Sequence, residues 1–550
     1  MMKKIFNYFI LSLLLSSCND FLDYNEYDYY EKDDVFTSFN RTKSSLTNLY
    51  GVIPSSGIDD VQGSMRTSAT DDAIEADRGR SIHIMNDGRW SSLRTVDDQW
   101  SQMYAGIRSA NQLLDNYDLS VLEKYQYNDN YKNLVLEYTH FDEQARFLRA
   151  FFYYELIRRY GQVPLLGDKI LTLEEVNNVK PNSFEEVAEY IVKECDLIVD
   201  GLPVDYSQFS GDQAGRITKG AAMALKARVL LHVASPLHNP NNVQEKWIAS
   251  AKASWSIIEK GWYSLESDYK NIVNNSASKE LIFGRRRGQE NSFERRNFPV
   301  GYVGASPGNC PTQNLVDCYR MVNGKKLDAP DSGYDPDNPY VQRDSRLLKT
   351  VIVNNSDWKG RKVELWNGGL DGLPKEYASE TGYYLKKYVV ESVNLDPAYT
   401  TTATHLVVIF RYGEVLLNYA EAMNEAYGPT YSSGELGMSA YDAVKLIRSR
   451  SGMPNLQDGL SKEEFRNELR DERRVELAFE DHRFWDIRRW KIGNTTTEIK
   501  GMAISKKEDG TFEYKPKVVE TRKWDEKMNF YPIPQGEVYK NPNLVQNSGW

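Results

Sequence analysis

Residues 141–160 read FDEQARFLRAFFYYELIRRY, and this stretch predicts a long helix. Gly161 and Pro164 follow it, and these residue types are expected just beyond the end of a helix. An earlier helix is predicted because one set of residues is spaced three or four apart, as one helix face requires. That set is Val96, Trp100, Tyr104, Ile107, Asn111 and Leu114. The first half of the chain is therefore predicted to be helical.

Six further helices are predicted along the chain, beginning near residues 183, 218, 243, 406, 440 and 461. Ser183 with Glu186 and Ser461 with Glu464 have the spacing of capping boxes, and the last helix is predicted to run through Phe479. The eight helices form four successive pairs, which favours tetratricopeptide-like units stacked into one curved scaffold. The predicted fold class is mostly α.

The helical pattern is interrupted at residues 262–404, where Gly, Pro, Asn and Asp dominate. Such composition predicts loops, short strands and turns, and long irregular segments are usually functional. The chain is therefore divided into a helical region at 35–261, an irregular ligand-binding insertion at 262–404, and a region at 405–550 that completes the scaffold.

The N-terminus combines Lys3 and Lys4 with an apolar run that is too short to span a bilayer. Residues 15–18 read LSSC, which resembles a bacterial lipobox. The pattern predicts a cleaved signal peptide at 1–17, a lipid-modified Cys18, and a flexible tether at 18–34. The alternative is an ordinary secretory signal with a chance cysteine at its end.

The composition of the chain limits the classes of molecule that it is expected to bind. The net charge is −10, which disfavours nucleic acid because such binding depends on neutralising phosphates. Besides Cys18 the chain has only Cys195, Cys310 and Cys318, too few for a disulfide framework; whether Cys310 and Cys318 pair stays open. The 36 tyrosines and 11 tryptophans suit both a core and a carbohydrate-binding surface.

Several long motifs together resemble the SusD/RagB family of outer-membrane nutrient-binding lipoproteins. They are CNDFLD at 18–23, EQARFLRA at 143–150, PTQNLVD at 311–317, RYGEVLLNYAEA at 411–422, DERRVELAFEDHRFWDIRRW at 471–490 and YPIP at 531–534. The resemblance implies four tetratricopeptide-like units, a glycan site on the irregular lobe, and docking over a TonB-dependent, SusC-like transporter. It also implies a lipid-anchored protein on the outer membrane that faces the cell exterior and is not an enzyme.

The longest motif, at 471–490, is interpreted as structural. Its residues Val475, Ala478 and Phe479 give an apolar face, and Glu472, Arg473, Glu476 and Glu480 are placed for ion pairs. Trp100 and Tyr104 are likewise assigned to core packing.

Trp90 is the leading ligand-binding candidate, because it follows the polar turn 86–89 outside any periodic pattern. An exposed indole offers a flat face to a sugar ring, and the resemblance implies a Trp platform in this part of the chain. Sugar hydroxyls need polar partners nearby. The candidates are Asp71, Asp72, Arg66 and Arg89 in the early segment and Tyr302, Asn309, Cys310, Trp358 and Trp366 in the insertion. For Asp71 and Asp72 a solvated acidic turn is the alternative.

Two other functions stay open. A glycoside hydrolase needs two suitably spaced carboxylates, which sequence does not exclude. A helical-repeat adaptor would bind a protein on its concave face. The six histidines lack metal-ligand spacing, so no metal or cofactor is predicted.

Overall fold

A computed structural model describes residues 32–54, 58, 61–211 and 213–550. The predicted signal peptide, Cys18 and residues 18–31 of the predicted tether lie outside the described residues. Within the described ranges, no helix combines the length and the apolar character that crossing a membrane requires.

The α-helices of the described residues are, in chain order, α1 (Lys32–Phe36), α2 (Phe39–Val52), α3 (Ile82–Asn86), α4 (Trp100–Asn116), α5 (Tyr131–Tyr138), α6 (Phe141–Tyr160), α7 (Leu173–Val176), α8 (Phe184–Ile198), α9 (Lys219–Ala234), α10 (Gln244–Ile258), α11 (Ser292–Arg295), α12 (Gln313–Cys318), α13 (Leu347–Thr350), α14 (Tyr412–Tyr427), α15 (Ala440–Arg450), α16 (Lys462–Glu476), α17 (Arg483–Arg489) and α18 (Gln535–Lys540). Short 3-10 turns lie at Arg66–Ala69, Leu119–Tyr125, Tyr269–Val273, Gly493–Thr495 and Glu526–Asn529.

The strands of the described residues form two-stranded pairs, and most of them are short. They are β1 (Ala73–Glu75), β2 (Leu281–Arg286), β3 (Asn309–Pro311), β4 (Val351–Ile352), β5 (Asp357–Trp358), β6 (Arg361–Lys362), β7 (Tyr384–Leu385), β8 (Leu406–Arg411), β9 (Glu498–Lys506) and β10 (Phe512–Thr521). The antiparallel pairs are β1 with β3, β2 with β8, β4 with β7, β5 with β6, and β9 with β10.

The long helices pack in chain order. Helix α4 packs on α6, α8 on α9, α10 on α14, and α15 on α16, and neighbouring pairs also touch through α6 with α8 and α9 with α10. Although the insertion separates α10 from α14 in sequence, these two helices form one of the most extensive contacts. The mostly helical fold class is confirmed. The tetratricopeptide-like description of the pairs and the predicted region boundaries stay predictions.

Local chemistry explains several helix ends. The side chains of Ser183 and Ser461 accept hydrogen bonds from the backbone of Glu186 and Glu464, so both predicted capping boxes form. Helix α6 ends at Tyr160 because Gly161 adopts a positive φ of 73°, which glycine tolerates without steric cost. Nearly every side chain of α6 is buried, because α2, α4 and α8 all pack against it.

Two sequence predictions are wrong in detail. Residues 406–411 were expected to begin a helix, but they form strand β8, which pairs with β2 from the insertion. All six residues of β8 are buried, and a short continuous apolar run does not distinguish a strand from a buried helix. The last predicted helix stops at Glu476 rather than at Phe479, whose φ is 63°.

Candidate functional site

Seven of the ten predicted ligand-binding residues are buried: Trp90, Asp71, Asp72, Arg66, Asn309, Cys310 and Trp358. The expectation that Trp90 presents an exposed face is wrong, because its side chain is only 3% exposed. The rings of Trp550 and Tyr531 pack edge-on against it, at centroid distances of 4.6 and 5.2 Å. Residues from the far end of the chain therefore cover the predicted platform, and sequence spacing gave no sign of this.

Asp71 and Asp72 lie inside the protein, so the alternative of a solvated acidic turn is also wrong. Two carboxylate–guanidinium contacts of 2.9 Å join Asp71 to Arg483, and Arg474 Nε lies 2.6 Å from Asp72 Oδ1. Burial raises the pKa of Asp71, but Arg474 and Arg483 outweigh it and hold that pKa at about 2. These carboxylates therefore anchor α16 and α17 to the early segment.

Arg66 is buried between two carboxylates. Its guanidinium lies 2.9 Å from Asp97 and 2.5 Å from Asp481. A buried guanidinium needs such partners, because an uncompensated charge in the interior is costly. Arg66 therefore pairs with these carboxylates inside the protein, and its side chain does not reach the surface.

Asn309 and Cys310 belong to strand β3, which joins the insertion to β1 of the early segment. The Asn309 side chain accepts a hydrogen bond of 2.8 Å from the backbone of Met65, so it fixes the early segment in place. Cys310 and Cys318 are both free thiols, which answers the pairing question that the sequence left open. Burial raises the pKa of the Cys310 thiol to about 12.

The backbone of Trp358 fixes the side chain of Tyr302. The Tyr302 hydroxyl donates a 2.6 Å hydrogen bond to the Trp358 carbonyl, and Trp358 itself is buried. The guanidinium of Arg361 lies 4.0 Å from the centre of the half-buried Tyr302 ring. Two contacts of 2.6 and 2.7 Å with Asp371 hold Arg361 there. Tyr302 is thus a fixed aromatic group at the edge of the insertion.

Three segments meet on one outer face, which we name the junction surface: residues 76–80, 299–308 and 370–380. The Ala76 amide donates to the Gly308 carbonyl at 2.7 Å, which joins the first segment to the second. The Gly301 amide donates to Asp371, and Arg78 forms a two-point contact with Glu380 at 3.1 and 2.6 Å. The surface therefore combines the early loop with the insertion.

The junction surface carries an exposed tyrosine and two partly exposed arginines. Tyr377 is 37% exposed and has a φ of 60°, which is uncommon for a bulky residue and marks strained backbone. The side chain of Arg78 is 44% exposed, and that of Arg80 is 35% exposed and lies 2.9 Å from Asp77. An aromatic ring beside bidentate donors and carboxylates can stack on a sugar ring and hydrogen-bond its hydroxyls.

Tyr302 is the one predicted residue that belongs to the junction surface and reaches solvent. Arg89 is exposed but pairs with Asp87 in its own turn, and Trp366 packs at 5.1 Å on Phe512 of the β9–β10 hairpin. The sequence prediction missed Arg78, Arg80 and Tyr377. The polar run at 77–80 was a usable signal for the two arginines, whereas nothing in the sequence singled out Tyr377.

Among the residues that the structure describes, no group of three or more His, Cys, Asp or Glu side chains could hold a metal ion. The charged side chains of the junction surface instead pair with each other, as Arg78 does with Glu380 and Arg80 with Asp77. The chemistry available there is stacking and hydrogen bonding.

Comparison with known proteins agrees with this architecture. A sequence model described as SusD family matches residues 276–550, and one described as starch-binding associating with outer membrane matches residues 20–231. A SusD-like protein, P2 of Formosa agariphila, is 22% identical over 100% of this chain and 99% of its own length.

Two solved structures from Bacteroides fragilis share the fold. A SusD-like protein is 27% identical with a TM-score of 0.77, covering 94% of this chain and 98% of its own. A SusD-like carbohydrate-binding protein is 25% identical with a TM-score of 0.75, covering 93% of this chain and 100% of its own. Because a model of that family matches the entire C-terminal half and the fold extends over nearly the whole length, this chain belongs to the SusD family.

Proposed function

We propose that this protein binds oligosaccharides at the junction surface and passes them to a TonB-dependent transporter of the outer membrane. The observation that carries the binding proposal is the exposed side chain of Tyr377, which lies within electrostatic reach of Asp77 and Arg80, on the same surface as the partly exposed Arg78. The name of the Bacteroides fragilis relative, a carbohydrate-binding protein, supports the same ligand class.

The form of the junction surface favours weak, reversible capture. Tyr302 is held in place by its neighbours, so little of its side-chain entropy is lost when a sugar binds. The charged groups remain partly hydrated, however, and each new hydrogen bond to a sugar hydroxyl replaces one to water. A protein that must release its ligand to a transporter benefits from this balance.

The delivery step is supported by family membership and by the N-terminal motif. One matching family model is described as associating with the outer membrane, and the LSSC sequence before residue 19 supports lipid attachment at Cys18. Several acyl chains on one residue would keep the protein at the membrane next to a transporter. Co-purification of the transporter encoded nearest to this gene with the lipidated protein, and its loss with Cys18→Ala, would test this step.

We propose binding without cleavage. Hydrolysis of a glycosidic bond needs one carboxyl group that donates a proton and a second carboxylate across the bond. At the junction surface Glu380 and Asp77 are each engaged by an arginine, which suits recognition of hydroxyls. Release of reducing ends from any bound polysaccharide would instead favour the hydrolase alternative.

Calorimetric titration with a panel of neutral oligosaccharides tests the site. For a glycan that binds, Tyr377→Ala should weaken affinity by about three- to tenfold, since stacking on an aromatic ring contributes about 0.5–1.5 kcal/mol. The matched control is Tyr127→Ala, because Tyr127 is 91% exposed and lies outside the junction surface. An unchanged affinity in Tyr377→Ala, or an equal loss in the control, would contradict the assignment.

A further inference from the structure

A second recess lies on the C-terminal part of the protein, outside the junction surface. It is a groove of about 490 Å³ whose walls include Trp524, the three basic residues Arg522, Lys523 and Lys527, and one carboxylate, Asp525. We name it the Trp524 groove. Trp524 is half-buried and Lys523 is exposed at its edge, so an aromatic surface and a cation face the same space. Neither residue was singled out by the sequence.

A small chamber adjoins this groove on its inner side. It has a volume of about 30 Å³, is lined by Trp90 and Arg488, and shares Thr497, Lys523 and Trp524 with the groove. One water molecule needs about 10–15 Å³ of such space, so the chamber has room for about two oxygen atoms. Lys523 and Met528 line both spaces, and changes of rotamer in such unbranched side chains can connect them.

The chamber is lined by two residues that each carry a buried hydrogen-bond donor without an acceptor in the described part of the chain. These donors are Trp90 Nε1 and Arg488 Nε, and both residues are at most 5% exposed. Buried polar groups are nearly always hydrogen-bonded, so two such donors beside one cavity suit that cavity to a hydrogen-bond acceptor.

Arg488 also differs in charge pairing from its neighbours. Arg489 is bound by Glu421 and Asp486, and Arg483 by Asp71. Within the described residues Arg488 forms no ion pair; its Nη1 donates to the Phe484 carbonyl, and its guanidinium lies 3.4 Å from the centre of the Phe484 ring. Burial lowers the pKa of Arg488 to about 10, so the group stays cationic at neutral pH. A buried cation that forms no direct ion pair is costly, and an anion in contact with it would relieve that cost.

We propose that the Trp524 groove and its chamber bind the carboxylate of an acidic sugar, a hexuronate within a glycan. The two carboxylate oxygens occupy the chamber beside Arg488 and Trp90, and the sugar ring lies in the groove along Trp524 and Lys523. A carboxylate is flat and has two oxygens, so it matches the chamber, whereas a sulfate ester is larger. Arginine and carboxylate also form strong, charge-assisted hydrogen bonds.

This site is separate from the junction surface. The choice of a sugar as its ligand rests on the function proposed above, whereas the place for an anion beside Arg488 does not. The two surfaces are connected through Glu520, which accepts from Arg78 at 2.6 Å on one side and from Arg522 at 2.7 Å on the other. Arg522 lines the groove and the chamber. The protein therefore offers binding groups on both sides of Glu520 to a single glycan chain that carries an acidic residue.

Calorimetry on the whole mature protein at low ionic strength tests the inference. Trigalacturonate should bind about tenfold or more tightly than the neutral galactose trimer, since a hydrogen bond to a charged group is stronger than one to a neutral group. Lys523→Glu should remove most of that preference. Lys540→Glu, on α18 with a side chain 61% exposed, is the matched charge reversal and should leave it unchanged.

A second variant tests the chamber itself. Arg488→Met removes an unpaired buried charge, so the protein should still fold, and it should lose the preference for trigalacturonate. If its unfolding transition shows that it does not fold, the comparison of Lys523→Glu with Lys540→Glu decides. Retention of the preference in Tyr377→Ala would support a site outside the junction surface.

Three results would overturn the inference. The acidic and neutral trimers could bind equally, in which case the unpartnered donors are met by water alone. Both charge reversals could weaken trigalacturonate equally, which would show general attraction between charges. Acetate could bind as tightly as trigalacturonate, which would remove the sugar from the assignment.

Discussion

Two regions of this protein contain the same residue types but differ in how far their side chains reach solvent. One is a buried charge cluster formed by Arg346, Lys387, Arg411, Glu476 and Glu480, each at most 5% exposed. The other is the junction surface, where Arg78 and Arg80 keep 44% and 35% of their side chains exposed. Arginine–carboxylate pairs occur in both, so residue type alone does not distinguish structure from recognition.

The buried charge cluster joins the insertion to the helical scaffold. Arg411, from β8, lies 2.8 Å from Glu476 and 2.6 Å from Glu480, and Lys387 of the insertion lies 2.6 Å from Glu480. Burial raises the pKa of Glu476, but Arg450, Arg411 and Arg346 together hold that pKa well below its ordinary value. The charged side chains of the buried charge cluster pair with one another inside the protein. The comparison shows that exposure decides which charged side chains are available to a ligand.

The largest effect is expected from breaking the buried charge cluster. Glu476→Ala removes a buried carboxylate that Arg346, Arg411 and Arg450 share, so their buried charges are less fully compensated and the free energy of unfolding should fall by about 3–5 kcal/mol. Urea denaturation measures this change. Glu513→Ala is the control, because Glu513 is 43% exposed and pairs with Lys515 on the hairpin surface. A similar loss in both variants would mean that burial does not separate the two classes of ion pair.

An intermediate effect is expected from acid. Burial raises the pKa of Asp97, but Arg159 and Arg66 outweigh it and lower that pKa from 3.8 to about 2. A depressed carboxyl pKa stabilises the fold above the unfolded value, and this contribution is lost as the pH falls from about 4 to about 2. The share of Asp97 is roughly 2 kcal/mol, from its shift in pKa.

Thermal unfolding between pH 5 and pH 2 measures this dependence. The Asp97→Asn variant should be less stable at neutral pH, and its stability should change less across the acidic range. A variant with the same acid slope as the parent protein would show that Asp97 does not carry this part of the pH dependence.

The smallest effect on stability is expected at the junction surface. Glu380→Gln breaks an exposed pair with Arg78, so the free energy of unfolding should change by less than about 1 kcal/mol. Affinity for a bound neutral glycan should nevertheless fall by about two- to fivefold, because Arg78 then keeps only one of its two carboxylate partners, Glu520, and is less firmly oriented. A loss of stability without a loss of affinity would place Glu380 with the structural ion pairs.

The fold was largely predictable, because helix periodicity and capping are local properties of the chain. Helix α6 and the capping boxes at Ser183 and Ser461 form where the sequence predicts them. The error at β8 arose because six successive buried residues carry no periodicity, and only the pairing with β2 made them a strand. Local pattern is insufficient where a distant partner supplies the hydrogen bonds.

The candidate site was much less predictable. Trp90 looked exposed because its neighbours are polar and irregular, yet Trp550 and Tyr531 cover it. Asp71 and Asp72 looked solvated, yet Arg474 and Arg483 pair with them inside the protein. Tyr377 had no sequence signal, and it became a candidate only when its segment was seen beside residues 76–80.

The sequence by itself determined the mostly helical scaffold, the interruption of that scaffold, and the family to which the chain belongs. These rest on short-range chemistry: helix spacing, capping residues and long continuous motifs. Only the tertiary structure decided which aromatic and charged side chains reach solvent. Burial depends on contacts between residues that are far apart in sequence, and no local pattern encodes them.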